Sequence, residues 1–413
     1  MFNASIRYHS GQLFCDDVCL ADIITQVGTP VYIYSLKRVL ENYETVRSAF
    51  SSLNAQVHYS AKANANLAIL RALVNAGCGI DTVSAGEIYR ALKAGAPAEK
   101  IVFAGVGKAM SELYYAVEQD VGWFNVENVK EAEFLNSIAM TSLKTVRVAL
   151  RLNPNVQAST HPKIATGHGS AKFGLSAESI QALYARRAQL PALRFEGIHV
   201  HIGSQLHDLE ATVAAVRAAV ELAKTMPTVN TIDIGGGFPV AYSSEDELPN
   251  VRVFADALAL ILEGYTVVLE PGRSIVADAG MLVTRVLYVK DQGGEHLVVV
   301  DAGMTDLIRP ALYDAHHAIV PLSQPNDHQA LNLSQIVGPV CESADVLGRN
   351  IPLPALTTYD CLAVLTTGAY GMVMASNYNA RVRPPEVVVE PDGGSWRVAR
   401  RRETWADLIA LEQ

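Results

Sequence analysis

Between Val57 and Glu270 the chain repeats one pattern eight times: a short apolar run, a polar turn, then a stretch with helical spacing. The runs begin near Val57, Gly79, Ile101, Trp123, Val146, Phe195, Thr231 and Tyr265. Strands that alternate with helices pair in parallel, and eight such units in one chain read as a (β/α)8 barrel. The helical stretches carry start and stop signals. Asn66 to Asn75 is amphipathic, Ser84-Ala85-Gly86-Glu87 has capping-box spacing, and Ser111, Asn128 and Ser176 stand where N-caps belong. Ala211 to Lys224 is rich in strong helix formers. The barrel is expected over residues 30–271, a span that includes the strand Val31 to Tyr34 and a helix over Leu36 to Phe50.

After Gly280 the pattern changes. MLVTRVLYVK, HLVVVD, HAIVPL, SQIVGPV, CLAVLTT, EVVVE and SWRVARRR are short, β-branched and separated by turn residues, with no helical spacing before Glu403 to Leu411. This predicts an all-β domain of residues 272–413, joined by residues 1–29, where Ser5 to Leu20 looks like hairpin material.

At 413 residues the chain is long enough for two cores, and 50% hydrophobic against 18% charged residues supplies them. A formal charge of −9 without a basic stripe argues against a nucleic-acid partner. No apolar run approaches the roughly 18 residues a membrane span needs, and MFNASIRYHSGQLFCDD has no export-signal pattern. Five cysteines form no CxxC pair, so Cys15 and Cys19 read as core or strand residues rather than metal ligands. The expectation is a cytoplasmic protein with no membrane partner and no metal.

Strand ends then become the informative positions, because barrel enzymes keep their chemistry at the C-terminal ends of strands. Lys62, Asp81, Asn125, Arg151, His201, Asp233 and Glu270 share the polar faces of their strands, where a plain packed barrel would carry Val, Ile and Leu. Any one of them alone has a bland reading: Lys62 as a solvated loop lysine, His201 as a hydrogen-bonded core histidine. Gly235-Gly236-Gly237 after the seventh strand and Glu270-Pro271-Gly272-Arg273 after the eighth occupy the usual phosphate site of such barrels. Without side chains, the triplet lets backbone N–H groups approach an anion. No GxxxxGK[ST] pattern occurs, so a nucleotide is not favoured. A phosphate beside a strand-end lysine suggests pyridoxal 5'-phosphate held by Lys62 as a Schiff base, with Glu270 at its ring nitrogen and His201 against its ring.

YSAKAN, GIDTVSAGE, HVHIGSQ, DIGGGF and EPGR, in this order, resemble the fold-type III pyridoxal-phosphate decarboxylases. RPALYD (Arg309 to Asp314), GPVCES (Gly338 to Ser343), GAYG (Gly368 to Gly371) and SNYN followed by Arg383-Pro384 narrow the resemblance to the diaminopimelate decarboxylase family, over essentially the whole chain. The resemblance implies decarboxylation of meso-2,6-diaminopimelate at its D-centre, giving L-lysine. Lys62 would carry the cofactor, and Asp81, His201, Ser204, Gly235, Gly236, Gly237, Glu270, Gly272, Arg273 and Tyr370 would surround it. Arg273, Arg309 and Tyr313, near Tyr370, would grip the substrate's distal carboxylate and Glu342 its distal ammonium, and Cys341 would return a proton to Cα. The Cys-Glu pair would cross from a neighbouring subunit, implying a homodimer with shared active sites. The chemistry is consistent with this, because ornithine has no distal carboxylate to occupy an arginine grip.

Three other readings remain open on these residues. One is a sister decarboxylase of ornithine or of a carrier-bound amino acid. Another is a non-catalytic regulatory homologue, which would be expected to lack Lys62 or Cys341. A third is a barrel racemase, which would lack the Cys-Glu stretch. Ala344, Val382, a short loop from Tyr242 to Asn250 and the stretch Ser170 to Gly174 depart from the family pattern, and the last is expected to bear on substrate access.

Overall fold

Eight parallel strands close on themselves in the computed structural model, which describes residues 2–156, 172–326 and 328–412. In chain order the strands before the barrel are β1 (Ile6–His9), β2 (Gln12–Cys15), β3 (Val18–Cys19) and β4 (Val31–Ser35). The barrel strands are β5 (Asn54–Ser60), β6 (Gly79–Thr82), β7 (Ile101–Phe103), β8 (Trp123–Val126), β9 (Val146–Leu152), β10 (Leu193–Val200), β11 (Thr231–Asp233) and β12 (Thr266–Leu269). Each pairs with its sequence neighbour, and β12 pairs with β5 to complete the ring. The expected barrel is present, strand for strand.

Its helices start where short polar side chains meet exposed N–H groups. Asn66 accepts from Ala68 N–H, Asn128 from Glu131 N–H, Ser176 from Ser179 N–H and Asp208 from Glu210 and Ala211 N–H. Ser84 caps its helix as expected, though Glu87 turns its carboxylate to Val83 N–H instead of Ser84. The cap predicted at Ser111 is not one. That helix begins after Ala109, whose N–H donates to the Glu112 carboxylate, and Ser111 lies inside it.

The chain divides into two units, one of Asn42–Val240 and Leu248–Ser274, the other of Met1–Glu41, Ala241–Glu247 and Ile275–Gln413. The expected barrel start at residue 30 is therefore too early. Strand β4 runs antiparallel to β13 (Gly280–Gln292) and parallel to β19 (Glu386–Val389), in the sheet of the second unit. A barrel already closed by eight strands has no edge left for a ninth. All five residues of β4 are buried, as a central strand covered on both faces requires.

That second unit is a mixed sheet completed by β14 (Glu295–Val300), β15 (Ile319–Pro321), β16 (Asn332–Val337), β17 (Val346–Leu353), β18 (Cys361–Val364) and β20 (Trp396–Arg400). The N-terminal three-stranded sheet β1-β2-β3 contributes Ile6, Leu13, Cys15 and Val18 to the same core as Val31, Ile33, Met281, Val283, Leu365 and Val387. Several short elements here escaped the sequence reading, among them the helix Leu20–Val27. Strand β17 (VLGRNIPL) carries Gly348 and Pro352 and sits at the sheet edge, where the pattern is dilute. The helix Arg309–Tyr313 spans only five residues. The expected C-terminal helix is also shorter than predicted, at Trp405–Leu408.

The barrel's interior is plugged by Trp123, packed with Val102 and Ala149. Gly197, at a register shift in β10, makes room for it: a Cβ there would lie 2.5 Å from Trp123 Cζ2 and 3.1 Å from Ala149 Cβ. Gly197→Ala should overpack this layer and cost about 1–3 kcal/mol, read as a lowered Tm in thermal denaturation; an unchanged Tm would mean that the indole yields freely.

Candidate active site at the barrel mouth

Trp123 also begins the site. Its Nε1–H donates to Asn125 Oδ1 at 2.9 Å, which turns the amide NH2 upward. That NH2 donates to Asp233 Oδ2 at 3.0 Å and to Glu270 Oε1 at 2.9 Å, bridging from β8 to the carboxylates at the ends of the adjacent strands β11 and β12. The backbone of Asn125 is held from outside. Lys108 Nζ donates to the carbonyls of Asn125 (2.7 Å) and Gly105 (2.8 Å) and to Glu131 Oε1 (2.6 Å). An ammonium has three protons, and these contacts satisfy all of them, so Lys108 is a structural clamp.

The other strand ends converge on the same space. Ser60 Oγ–H donates to Asp81 Oδ2 at 2.6 Å across β5 and β6. Lys62 lies just past β5 in a single 3₁₀ turn, Ala61–Ala63, with its neighbours buried and itself exposed. Arg151 forms an ion pair with buried Glu127 and stacks on Phe173, 4.7 Å from ring centre to guanidinium carbon. Glu127 also accepts Gly174 N–H at 2.9 Å, which pins the end of the stretch singled out at Ser170 to Gly174. Ser170 and Ala171 themselves lie outside the described residues.

Burial sets the charge states. Asp81, Asp233 and Glu270 are all buried. Burial raises Asp233 to about 6, against the hydrogen bonds it accepts. Burial, then repulsion from Asp233 and Asp81, pushes Glu270 well above the usual carboxylate range. Asp81 is raised by burial and partly restored by Lys62, its bond from Ser60 and the nearby Arg151. His199, two residues before His201 on the same strand face, is kept neutral by burial and by the cations around it. Its 3.6 Å approach to Glu270 is therefore not an ion pair. The sequence reading missed His199, although the alternation in HVHIG carries it.

Opposite this group lies the loop of the glycine triplet. Gly235 has φ +66°, and a Cβ on it would lie 2.6 Å from His201 Nδ1; one on Gly236 would lie 2.3 Å from the Glu270 carbonyl oxygen. Gly236 N–H donates toward His201 Nδ1 at 3.4 Å. Gly272 packs against Ala63 and Ser60, and Arg273 Nε–H donates to Ser204 Oγ at 3.3 Å. Lys62, Asp81, His201, Ser204, Gly235 to Gly237, Glu270, Gly272 and Arg273 thus belong to one barrel unit.

The remaining candidates lie in the β unit and are described within it. Arg309 and Tyr313 stand one helical turn apart on the helix Arg309–Tyr313, so both face one side. Cys341 to Ala344 are four consecutive exposed residues between β16 and β17. The turn is shaped by Asp345, whose carboxylate accepts Val340 N–H at 2.6 Å and Met304 N–H at 2.5 Å. Cys341 N–H donates to Asn379 Oδ1 at 2.9 Å, and Tyr378 O–H donates to Glu342 Oε1 at 2.6 Å. The SNYN motif therefore holds the Cys-Glu pair in place. Tyr370 is half-buried, with φ +56°.

Comparison with known proteins agrees with this geometry. Residues 36–277 match the pyridoxal binding domain of pyridoxal-dependent decarboxylases. A diaminopimelate decarboxylase of Aquifex aeolicus is 41% identical, over 99% of this chain and 97% of its own length. The crystal structure of diaminopimelate decarboxylase from M. jannaschii in complex with L-lysine superposes with a TM-score of 0.93 at 36% identity, covering 100% of this chain and 98% of that one. The Helicobacter pylori enzyme with L-lysine gives 0.91 at 37%, covering 95% and 99%. The chain is a member of the diaminopimelate decarboxylase family. The cofactor of this family, pyridoxal phosphate, fits the mouth on three counts. Side-chain-free backbone and Arg273 suit a phosphate dianion. Lys62 is exposed at the opening. The ligand atoms of His199, Asp233 and Glu270 lie within 4.8 Å of one another, a set suited to a cationic guest such as a protonated ring nitrogen. Among the described residues, buried Asp81 Oδ1 and both His199 nitrogens have no hydrogen-bond partner.

In the cofactor-free protein these carboxyl groups should make stability fall as pH rises. The folded state keeps protons on Asp233 and Glu270 that an unfolded chain has already released. Their contribution is complete below the ordinary carboxylate pKa and is lost as pH rises through about 6 for Asp233 and higher for Glu270. Asp233→Asn should flatten the decline of Tm between about pH 5 and about pH 7.5; equal slopes in both proteins would contradict the raised pKa of Asp233.

Proposed function

We propose that this enzyme decarboxylates meso-2,6-diaminopimelate at its D-centre, releasing carbon dioxide and L-lysine. The observation that carries the reading is the Asp233–Glu270 pair bridged by Asn125 beside strand-end Lys62. It is a built site for a cationic ring nitrogen next to an amine that can hold a carbonyl.

Each residue's part follows from its chemistry. Lys62 is the amine that tethers the cofactor. Gly235, Gly236, Gly237, Ser204 and Arg273 would hold its phosphate, with Tyr370, and Gly272 leaves room beside Ala63 and Ser60. Glu270, backed by Asp233, would keep the ring nitrogen protonated, Asp81 is a third carboxylate at the mouth, and His201 would support the ring. When bound, the cofactor supplies a conjugated ring that takes up the electron pair left by departing carbon dioxide. Cys341 returns a proton to Cα. Arg309 and Tyr313, with Arg273, hold the distal carboxylate, and Glu342 pairs with the distal ammonium.

Four exposed residues around Cys341 support a homodimer in which this turn reaches the neighbouring subunit's site. All five cysteines are free thiols, as in a reducing compartment, and we place the enzyme in the cytoplasm. Among the described residues no helix is long and apolar enough to cross a membrane.

Carbon dioxide release from the cofactor-loaded protein with meso-diaminopimelate, LL-diaminopimelate and ornithine in parallel tests the substrate. Release from the meso isomer alone, with lysine as product, is expected; release from ornithine would favour the sister-decarboxylase reading. Lys62→Ala should abolish the visible absorbance of bound cofactor. Cys341→Ala should keep that absorbance and lower kcat about a hundredfold or more, whereas undiminished turnover would remove the thiol from the mechanism. Arg309→Ala should raise KM for diaminopimelate at least about tenfold, and an unchanged KM would sink the carboxylate grip.

A further inference from the structure

Arg309 is itself gripped. Its Nη1 lies 2.8 Å from His317 Nε2, and His317 Nδ1 lies 2.9 Å from the Leu365 carbonyl oxygen. A carbonyl only accepts and a guanidinium only donates, so the two contacts select one state of the imidazole. Nδ1 carries the proton and Nε2 offers its lone pair to the arginine. The Tyr242 ring faces the guanidinium, 4.5 Å from its carbon, and meets the His317 ring edge-on at 5.2 Å and 87°. Arg309, His317 and Tyr242 are all buried.

Each support is fixed in turn. The Tyr242 loop belongs to the β unit, although it leaves a barrel strand. Asp246 closes it by accepting Tyr242 N–H at 2.8 Å and Ser243 N–H at 3.0 Å. Arg309 opens its short helix, with Pro310 in the first turn and Asp314 ending it in the left-handed region at φ +52°. A long, flexible side chain is thus confined on one edge by an acceptor and on one face by an aromatic ring.

We propose that His317 and Tyr242 are positioning residues that orient Arg309 for the distal carboxylate and so set the enzyme's preference for a substrate bearing one. This rests on the reading of Arg309 as that carboxylate's partner. Decarboxylation at the D-centre leaves the distal carboxylate on the product, so L-lysine probes the same contact. 1,5-Diaminopentane has the same chain and amines without the carboxylate.

Inhibition constants of both compounds on the cofactor-loaded enzyme separate positioning from general damage. His317→Phe and Tyr242→Leu should weaken L-lysine about tenfold and leave diaminopentane unchanged. His317→Gln, which keeps an acceptor, and Tyr242→Phe, which keeps the ring, should stay within about twofold of the parent. Parallel weakening of both compounds would overturn the proposal, because a merely structural role predicts it. Unchanged lysine binding in His317→Phe and Tyr242→Leu, with Arg309→Ala still impaired, would overturn the proposal alone. Unchanged lysine binding in Arg309→Ala would overturn the carboxylate grip and the positioning with it.

Discussion

One amide holds the barrel's chemistry together. Two buried carboxyl groups repel each other and resist ionisation, so Asp233 and Glu270 would not stand side by side by default. The NH2 of Asn125 donates to both and makes the arrangement tolerable. Asn125 can do this because Trp123 fixes its oxygen and Lys108 fixes its backbone. The plug that fills the barrel and the pair proposed to serve the cofactor are thus two ends of one connected network. A cationic ring nitrogen placed against the pair would relieve the strain that burial imposes, which is why the site is better suited to a charged guest than to none.

How much of this the sequence disclosed depends on the range of each interaction. Periodicity and turn residues are local, and they revealed all eight barrel strands, the glycine triplet and the caps at Ser84, Asn128 and Ser176. Strand parity is local too, so Asp81, Asn125, Asp233 and His201 could be read to one face. The reading failed where a partner decides. Val31 to Ser35 looks like a barrel strand until its pairing with β13 and β19 is known. Ser111 has the right side chain for a cap, but Glu112 starts that helix through Ala109. Lys108 and Trp123 carried no signal, because a lysine clamp and a plugging indole are defined only by what surrounds them.

The proposed grip on the distal carboxylate shows the same limit with a sharper consequence. Arg309 was legible in RPALYD, but its supports come from residues 242, 317 and 365, and no local pattern links these. They also tie the arginine to its surroundings. Remove it, and His317 Nε2 loses the donor that Arg309 supplied to a buried acceptor, at a cost of about 1–3 kcal/mol if nothing replaces it. A chain that drifted toward substrates lacking a carboxylate would have to change Arg309, His317 and the Tyr242 loop together. On the proposed reading of Arg309, substrate choice is therefore protected by stability as well as by binding: a single substitution that removes the charge also damages the structure that held it.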